Sequence, residues 1–256
     1  MASEPLELTD FERQLIRCLD SAHGQVLWAA GNAIAHLHKA WRLREFDSEM
    51  AVFRAITAEE EMATALIVAA QELQYANAAR LKRRSHLHKL GLYPFLTLVR
   101  QFFASLNPPP EITFRINDLS TSPWLTLLVN SPVGWIESKP PLNFAIRAES
   151  TGSRPYDFRH ELREHLESKG AQTLRDQLQP LVQLRNRILY ASYEGRPGIA
   201  GDIAATIQWS RRRVFALLRA LCLVFPHRER ALFVQQVTDA FLIAVEQINP
   251  DDLSTS

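Results

Sequence analysis

The chain has 256 residues, of which 46% are hydrophobic and 22% are charged, a composition typical of a globular protein with a substantial core. Its formal net charge of +1 excludes a strong overall field, so any binding to nucleic acid must use local patches. The two cysteines, Cys18 and Cys222, fall in apolar helical patterns and predict reduced thiols rather than a disulfide framework. Because the N-terminus is acidic and the apolar stretch 214–225 is interrupted by Arg219, we expect no membrane span and a cytoplasmic location.

Residues 1–107 are predicted to form the N-terminal half of a helical bundle. Thr9-Asp10 and Asp47-Ser48 supply capping side chains directly before segments with apolar residues at helical spacing. Pro94 is expected to start or kink the last helix of this half, because proline lacks a backbone N–H. The predicted helices follow Thr9, cover about 25–45 and 49–74, and end near Phe103, before the prolines at 108–110.

Residues 108–150 are predicted to be a small antiparallel β insertion. Apolar and polar residues alternate over 112–116, which is the period of a half-buried strand. The segment 124–129 is a second strand candidate, and the alternation at Leu142, Phe144 and Ile146 indicates a third.

Residues 151–249 are predicted to complete the bundle, with a flexible tail at 250–256. Helical patterns cover 156–169 and 171–193, Asp202 caps a long helix that ends near Phe225, and a final helix extends to Ile248. The expected fold is therefore mainly α: a bundle of about seven helices with a small antiparallel β insertion.

An arginine lies within an apolar stripe of the predicted helix 171–193. The stripe comprises Leu174, Leu178, Leu181, Arg185 and Ile188. Because a guanidinium is almost never fully buried unless it is paired, Arg185 requires an acidic partner or a cleft where it meets a ligand. Asn186 and Tyr190 are four residues apart beside it, so the three side chains form a set suited to phosphate recognition.

Two glutamates of the predicted third helix also point inward. Glu60 belongs to the stripe Phe53, Ile56, Glu60, Ala63 and Ile67. Glu59 belongs to a neighbouring stripe, whereas Glu61 points more outward. Since a buried carboxylate is costly unless it is paired, we predict a Glu60–Arg185 ion pair, with Glu59 as a substitute or second partner. Such a pair either fixes the register of the bundle or orients Arg185 toward an anionic ligand.

The strongest basic cluster lies between residues 80 and 89. The candidate RNA-binding or anion-binding residues in it are Arg83, Arg84, His86, His88 and Lys89. A solvated helix face is the plainer interpretation of such a run. No metal site is expected, because two histidines spaced as in His-x-His lie about 200° apart around a helix and no Glu-x-x-His motif is present. No cofactor is indicated either, since glycine-rich phosphate loops are absent from the sequence.

The Arg185-Asn186 pair, late in a helical bundle, resembles the signature of HEPN domains, which are helical nucleotide-binding and ribonuclease domains of prokaryotic defence systems. The segment 31–40 followed by 58–61 resembles the helix pair of the AbiV-like branch of that family, in which an inward glutamate pair is typical. In the family motif a histidine follows the arginine by four to six residues, and this chain has Tyr190 there.

The resemblance implies an RNA-binding protein or a metal-independent ribonuclease that acts as a homodimer, in prokaryotic defence or in a toxin-like role. Arg185 would bind phosphate, Asn186 and Tyr190 would position it, and Glu60 would orient the arginine. A tyrosine with an ordinary pKa of about 10 is a poor general base, so His86, His88 or His160 would have to replace it in space. The alternative is a non-catalytic helical module that binds a small anionic ligand or a protein partner.

Overall fold

The computed structural model describes residues 5–105, 109–117, 123–143, 164, 178, 183–185, 188, 199 and 201–246, and the structural statements below concern these residues. The chain is mainly helical and carries a small three-stranded antiparallel sheet, which confirms the predicted fold class. The described α-helices are α1 (Asp10–Arg17), α2 (Gly24–Leu43), α3 (Ser48–Glu72), α4 (His86–Ala104), α5 (Ile203–Val224) and α6 (Leu232–Glu246). Short 3₁₀ turns cover Cys18–Ser21 and Ala78–Arg80.

Polar side chains at the N-termini explain where these helices begin. Thr9 forms a capping box with Glu12, and Asp47 accepts a hydrogen bond from the Met50 backbone N–H at 2.9 Å. Asp202 caps α5 in the same way, through the Ala205 N–H at 2.9 Å. These caps satisfy backbone donors that a helix leaves open in its first turn, so the three predicted helix starts are confirmed.

Helix α4 begins eight residues before Pro94, the residue expected to start or kink it. The Ser85 hydroxyl accepts a hydrogen bond from the His88 N–H at 3.4 Å, and the helix starts at His86. Pro94 consequently lies inside α4 and does not start it. A proline removes only one backbone donor, and the packing of the flanking apolar residues Leu92 and Phe95 in the core retains the helix on both sides.

The sheet consists of β1 (Ile112–Asn117), β2 (Trp124–Ser131) and β3 (Gly134–Glu137), in the order β1-β2-β3. The prediction of the first two strands is confirmed, and β3 is a strand that was not predicted. Of the predicted third segment, Leu142 lies in a turn, and Phe144 and Ile146 lie outside the described residues. Ser131 and Gly134 pair across a two-residue turn, and Gly134 has a φ of +115°. This tight turn folds the next four residues back onto β2, so the local hairpin forms the third strand.

Helix α3 is the centre of the bundle. It packs against α2, α4 and α5, while α6 packs against α4 and strand β2 packs against α5. Many of its inward positions are alanines that are completely buried, including Ala55, Ala58 and Ala63. Small side chains let the neighbouring helices approach closely, so polar groups of α3 reach side chains on several helices at once.

Several predicted features lie outside the described residues. They are most of the helical patterns at 156–169 and 171–193, the residues Asn186 and Tyr190, positions 144–150 of the insertion and the tail 250–256. Within the predicted stripe, Leu178 and Ile188 are helical and buried, and Arg185 is helical and partly buried. Arg185 therefore does lie between core residues, as its spacing predicts.

Candidate functional site

Helix α3 carries two adjacent buried carboxylates. Glu60 is 2% exposed and Glu59 is 6% exposed. Consecutive residues point about 100° apart around a helix, so the two side chains enter different clefts between α3 and its neighbours. Each carboxylate therefore has its own set of partners.

Glu60 is surrounded by three basic side chains. Its Oε1 lies 2.5 Å from His86 Nδ1, and its Oε2 lies 3.3 Å from Lys89 Nζ. The same Oε2 is 3.7 Å from Arg185 Nε, so the predicted Glu60–Arg185 ion pair is present. His86 and Lys89 come from the first turn of α4, one helical turn apart, which is why both reach the same carboxylate.

His86 also contacts Arg185 directly, with 3.4 Å between His86 Nε2 and Arg185 NH1. A guanidinium only donates hydrogen bonds, and an ionised carboxylate only accepts them. Both contacts are hydrogen bonds in the tautomer of His86 that donates from Nδ1 to Glu60 and accepts at Nε2 from Arg185. Together Glu60, His86, Lys89 and Arg185 form a cluster that we call the Glu60 cluster.

The Glu60 cluster is open to solvent on one side. The side chains of His86 and Arg185 are 36% and 23% exposed, whereas that of Glu60 is 3% exposed. The guanidinium carbon of Arg185 lies 5.1 Å from the centroid of the Phe53 ring, which supports it from α3. A buried carboxylate thus holds an arginine and a histidine side by side at the surface, where an anion can reach both.

Glu59 has different partners, both on α5. Ser210 donates its hydroxyl to Glu59 Oε1 at 2.7 Å, and Arg213 NH1 donates to Oε2 at 3.3 Å. Burial raises the pKa of Glu59 above its ordinary value, and the neighbouring Arg213 offsets this only in part. The guanidinium of Arg213 in turn lies 5.5 Å from the centroid of the Tyr93 ring.

A cavity of about 410 Å³ opens beside Glu59, and we call it the Glu59 cavity. The described residues that line it are Val52, Ile56, Glu59, Leu90, Leu184, Thr206, Trp209, Ser210 and Arg213. It lies between α3, α4 and α5, and it includes the residue that precedes Arg185.

The basic cluster at residues 80–89 divides into an exposed part and a buried part. Arg83 and Arg84 are exposed and line a shallow depression, and Arg83 donates to Gln25 Oε1 at 2.8 Å. His88 is 2% exposed, and its nitrogens lie near the Lys82 N–H and Glu246. Of the predicted anion-binding residues, Arg83 and Arg84 are thus on the surface, while His88 is in the core.

Sequence reasoning left one contact of the site open and missed another. His86, His88 and His160 were the candidates to replace the family histidine beside Arg185, and a separation of 99 positions along the chain gave no signal that His86 is the one in contact. The missed contact is the pairing of Glu59 with Ser210 and Arg213 on α5, because Glu59 was predicted only as a substitute or second partner for Arg185. Their spacing of three residues on a helix places them on one face, and this was the available signal.

The described residues contain no group of three or more histidine, cysteine, aspartate or glutamate side chains arranged to hold a metal ion. None of the described helices has both the length and the apolar character that a membrane span requires. Comparison of the chain with protein-family models, with curated proteins and with solved structures finds no match.

Proposed function

We propose that this protein is a HEPN-like RNA-binding protein that cleaves RNA without a metal ion. The observation that supports the proposal is the 3.4 Å contact between His86 Nε2 and Arg185 NH1 at a partly exposed position. The resemblance to HEPN domains requires a histidine beside the arginine, and the chain has Tyr190 at that sequence position. His86 is a histidine that reaches the arginine through space instead.

The cluster contains the groups that cleavage by the 2′-hydroxyl needs. Arg185 binds the scissile phosphate and leaves His86 Nε2, whose lone pair is then free to take the proton of the 2′-hydroxyl. The 2′-oxygen forms a bond to phosphorus, and the bond to the 5′-oxygen breaks. The products are a 2′,3′-cyclic phosphate and a 5′-hydroxyl, which takes its proton from water. Glu60 accepts from His86 Nδ1 and stabilises the imidazolium that forms.

Four further predicted residues have positioning roles in this proposal. Arg83 and Arg84 attract the RNA backbone from the surface beside α4. Asn186 and Tyr190 position the phosphate, and a homodimer brings two clusters together, as the resemblance to HEPN domains implies. The protein would act on RNA in the cytoplasm, in prokaryotic defence or in a toxin-like role.

The test combines cleavage and binding of a single-stranded RNA in EDTA. We expect Arg185→Ala to lower the cleavage rate about 10²–10³-fold, because it removes charge stabilisation at the phosphate. It should also lower the slope of log K against log salt concentration for RNA binding by about 1, the value for one lost phosphate contact. His86→Gln should keep binding and lower cleavage about 10²–10⁴-fold, because it removes the proton acceptor. The products should carry 2′,3′-cyclic phosphate ends.

Arg13→Ala is the matched control, because Arg13 is an exposed arginine on α1 that pairs only locally with Asp10 and Leu8. It should leave both cleavage and binding unchanged. Circular dichroism and melting curves must show that each variant is folded. Absence of RNA binding and cleavage by the wild type at low salt would refute the proposal.

The second candidate function is a non-catalytic module that binds a small anionic ligand or a protein partner. It is favoured by the same contacts, since Glu60 and His86 already engage Arg185 inside the protein. In that case Arg185→Ala lowers the melting temperature and leaves RNA binding unchanged. The two proposed functions therefore predict different results for Arg185→Ala. The nuclease loses RNA cleavage, whereas the non-catalytic module loses only thermal stability.

A further inference from the structure

The Glu59 cavity is a site that the proposed cleavage chemistry does not use. The polar groups that the described residues contribute to it include the carboxylate of Glu59, the hydroxyls of Thr206 and Ser210, and the guanidinium of Arg213. Its volume of about 410 Å³ lies within the range of small-molecule sites. The volume is large enough for a ring system of the size of a nucleobase.

Glu59 keeps unused capacity to accept hydrogen bonds. Its side chain is 7% exposed, and each carboxylate oxygen accepts one bond, from Ser210 and from Arg213. A carboxylate oxygen has two lone pairs, so each oxygen can accept one more donor. Such a donor would also stabilise the charged carboxylate and so oppose the effect of burial, which raises the pKa of this group.

The walls of the cavity favour a planar, partly apolar ligand. Val52, Ile56 and Leu90 provide apolar surface, and Trp209 lines the cavity with an indole that is 57% exposed. Unstacked RNA bases are recognised by stacking on aromatic rings and by hydrogen bonds to their Watson–Crick edges. The cavity offers both kinds of contact.

We infer that the Glu59 cavity binds a guanine base of the RNA substrate. Guanine presents two adjacent donors on its Watson–Crick edge, N1–H and the N2 amino group, which match the two oxygens of Glu59. It also presents the acceptors O6 and N7, which a guanidinium such as that of Arg213 binds. Trp209 stacks on the ring. This inference rests on the proposed function for the source of the base.

The other bases match the carboxylate less well. Adenine and cytosine each place a ring nitrogen acceptor beside a single amino group, so one oxygen of Glu59 would face a lone pair. Uracil has one N–H between two carbonyl acceptors, which a carboxylate repels. A buried carboxylate thus selects guanine by its donor pattern.

Two pairs of consecutive residues connect the Glu59 cavity with the Glu60 cluster. Glu59 and Glu60 are consecutive on α3, and Leu184, which lines the cavity, directly precedes Arg185. One nucleotide can therefore place its base against Glu59 while a neighbouring phosphate meets Arg185. This arrangement makes the cavity a base-specificity site for the same strand.

The experiment measures binding of GMP and AMP by calorimetry, and of two RNA hexamers that differ only in one guanine replaced by adenine. We expect guanine to be favoured about tenfold or more in the wild type, from the paired hydrogen bonds. Glu59→Gln should abolish this preference without weakening binding of the adenine ligands. Trp209→Ala should weaken all of them, and Trp28→Ala, which removes an exposed indole on α2, should change none.

The outcomes separate the possible sources of the base. A guanine preference in RNA but not in the free nucleotides, lost in Glu59→Gln, supports an RNA strand as the ligand. A preference among free nucleotides alone supports a guanine nucleotide and removes RNA from the inference. The inference of a guanine site is overturned by equal affinity for guanine and adenine in both the free nucleotides and the RNA hexamers. It is also overturned by a guanine preference that Glu59→Gln retains. If Arg185→Ala leaves RNA binding and cleavage unchanged while GMP binding depends on Glu59, the proposed function fails and the guanine site stands.

Discussion

Two adjacent residues of α3 serve two different regions of the molecule. Glu60 meets His86, Lys89 and Arg185, so a single negative charge faces an excess of basic groups. Glu59 meets one guanidinium and one hydroxyl, and a cavity lies beside it. The carboxylates share their helix and their burial, so their partners alone make the difference.

This contrast shows how one helix can place two adjacent carboxylates in different environments. The Glu60 carboxylate holds α4 and the segment of Arg185 together, and its single charge faces two cations, Lys89 and Arg185. The Glu59 carboxylate is under-compensated, as the raised pKa indicates, and retains acceptor capacity toward a ligand. We therefore expect Glu60 to matter most for stability and Glu59 to matter most for selectivity.

The largest expected effect is that of Glu60→Gln. The substitution removes the charge that compensates Lys89 and Arg185, which are 11% and 23% exposed. Breaking a buried pair by removing one partner costs about 3–5 kcal/mol, because the remaining charges stay partly desolvated. Urea unfolding at neutral pH measures this difference in the free energy of unfolding.

Glu61→Gln is the control for that measurement, because Glu61 is the next residue on α3 and contacts only the amide of Asn32, at 3.0 Å, among the contacts described. Its effect should stay within about 0.5 kcal/mol, as for an ordinary surface substitution. A Glu60→Gln variant as stable as Glu61→Gln would show that the Glu60 cluster does not hold the helices together.

An intermediate effect is expected for Ser210→Ala on the Glu59 side. The hydroxyl donates to Glu59 Oε1 at 2.7 Å in a buried position. Its loss should cost about 1–3 kcal/mol, since one oxygen of the carboxylate is left with less hydrogen bonding. It should also raise the pKa of Glu59 further, because the Ser210 hydrogen bond lowers it.

Thr206→Val is the matched control on the same helix and in the same cavity. The Thr206 hydroxyl donates to the Asp202 carbonyl oxygen at 3.0 Å and not to Glu59. Thermal unfolding of both variants should therefore show a smaller loss for Thr206→Val. Equal losses would mean that the Ser210–Glu59 bond contributes nothing specific.

Sequence reasoning predicted the parts of the molecule that depend on local pattern. The capping residues Thr9, Asp47 and Asp202 located three helices, because a cap and its helix are close in sequence. The spacing of Glu60 and Arg185 in apolar stripes predicted their pairing, because a buried charge restricts its possible partners strongly.

The features that sequence reasoning left open or missed depend on contacts between distant segments or on a short local turn. His86 approaches Arg185 only because α4 packs against α3 beside Glu60, and no periodicity encodes that approach. Strand β3 was missed because four residues are too few to show an alternating pattern, and the two-residue turn before Gly134 pairs them with β2.

Glu59→Gln should have the smallest effect on stability, and the sign of that effect should depend on pH. Burial raises the pKa of Glu59 above the ordinary value of 4.5, so the folded protein holds this proton more strongly than the unfolded chain does. The carboxyl therefore contributes stability below pH 4.5 that is lost as the pH rises through the folded-state pKa. At neutral pH the wild type and the variant should differ by about 1 kcal/mol or less, because loss of the contact to Arg213 is offset by relief of the buried charge. At pH 4 the free energy of unfolding of the wild type should increase relative to that of the variant. Urea unfolding of both proteins at the two pH values measures the difference in their free energies of unfolding. If the wild type instead became more stable relative to the variant as the pH rises to neutral, Arg213 would fully compensate the charge of Glu59, as Lys89 and Arg185 compensate that of Glu60.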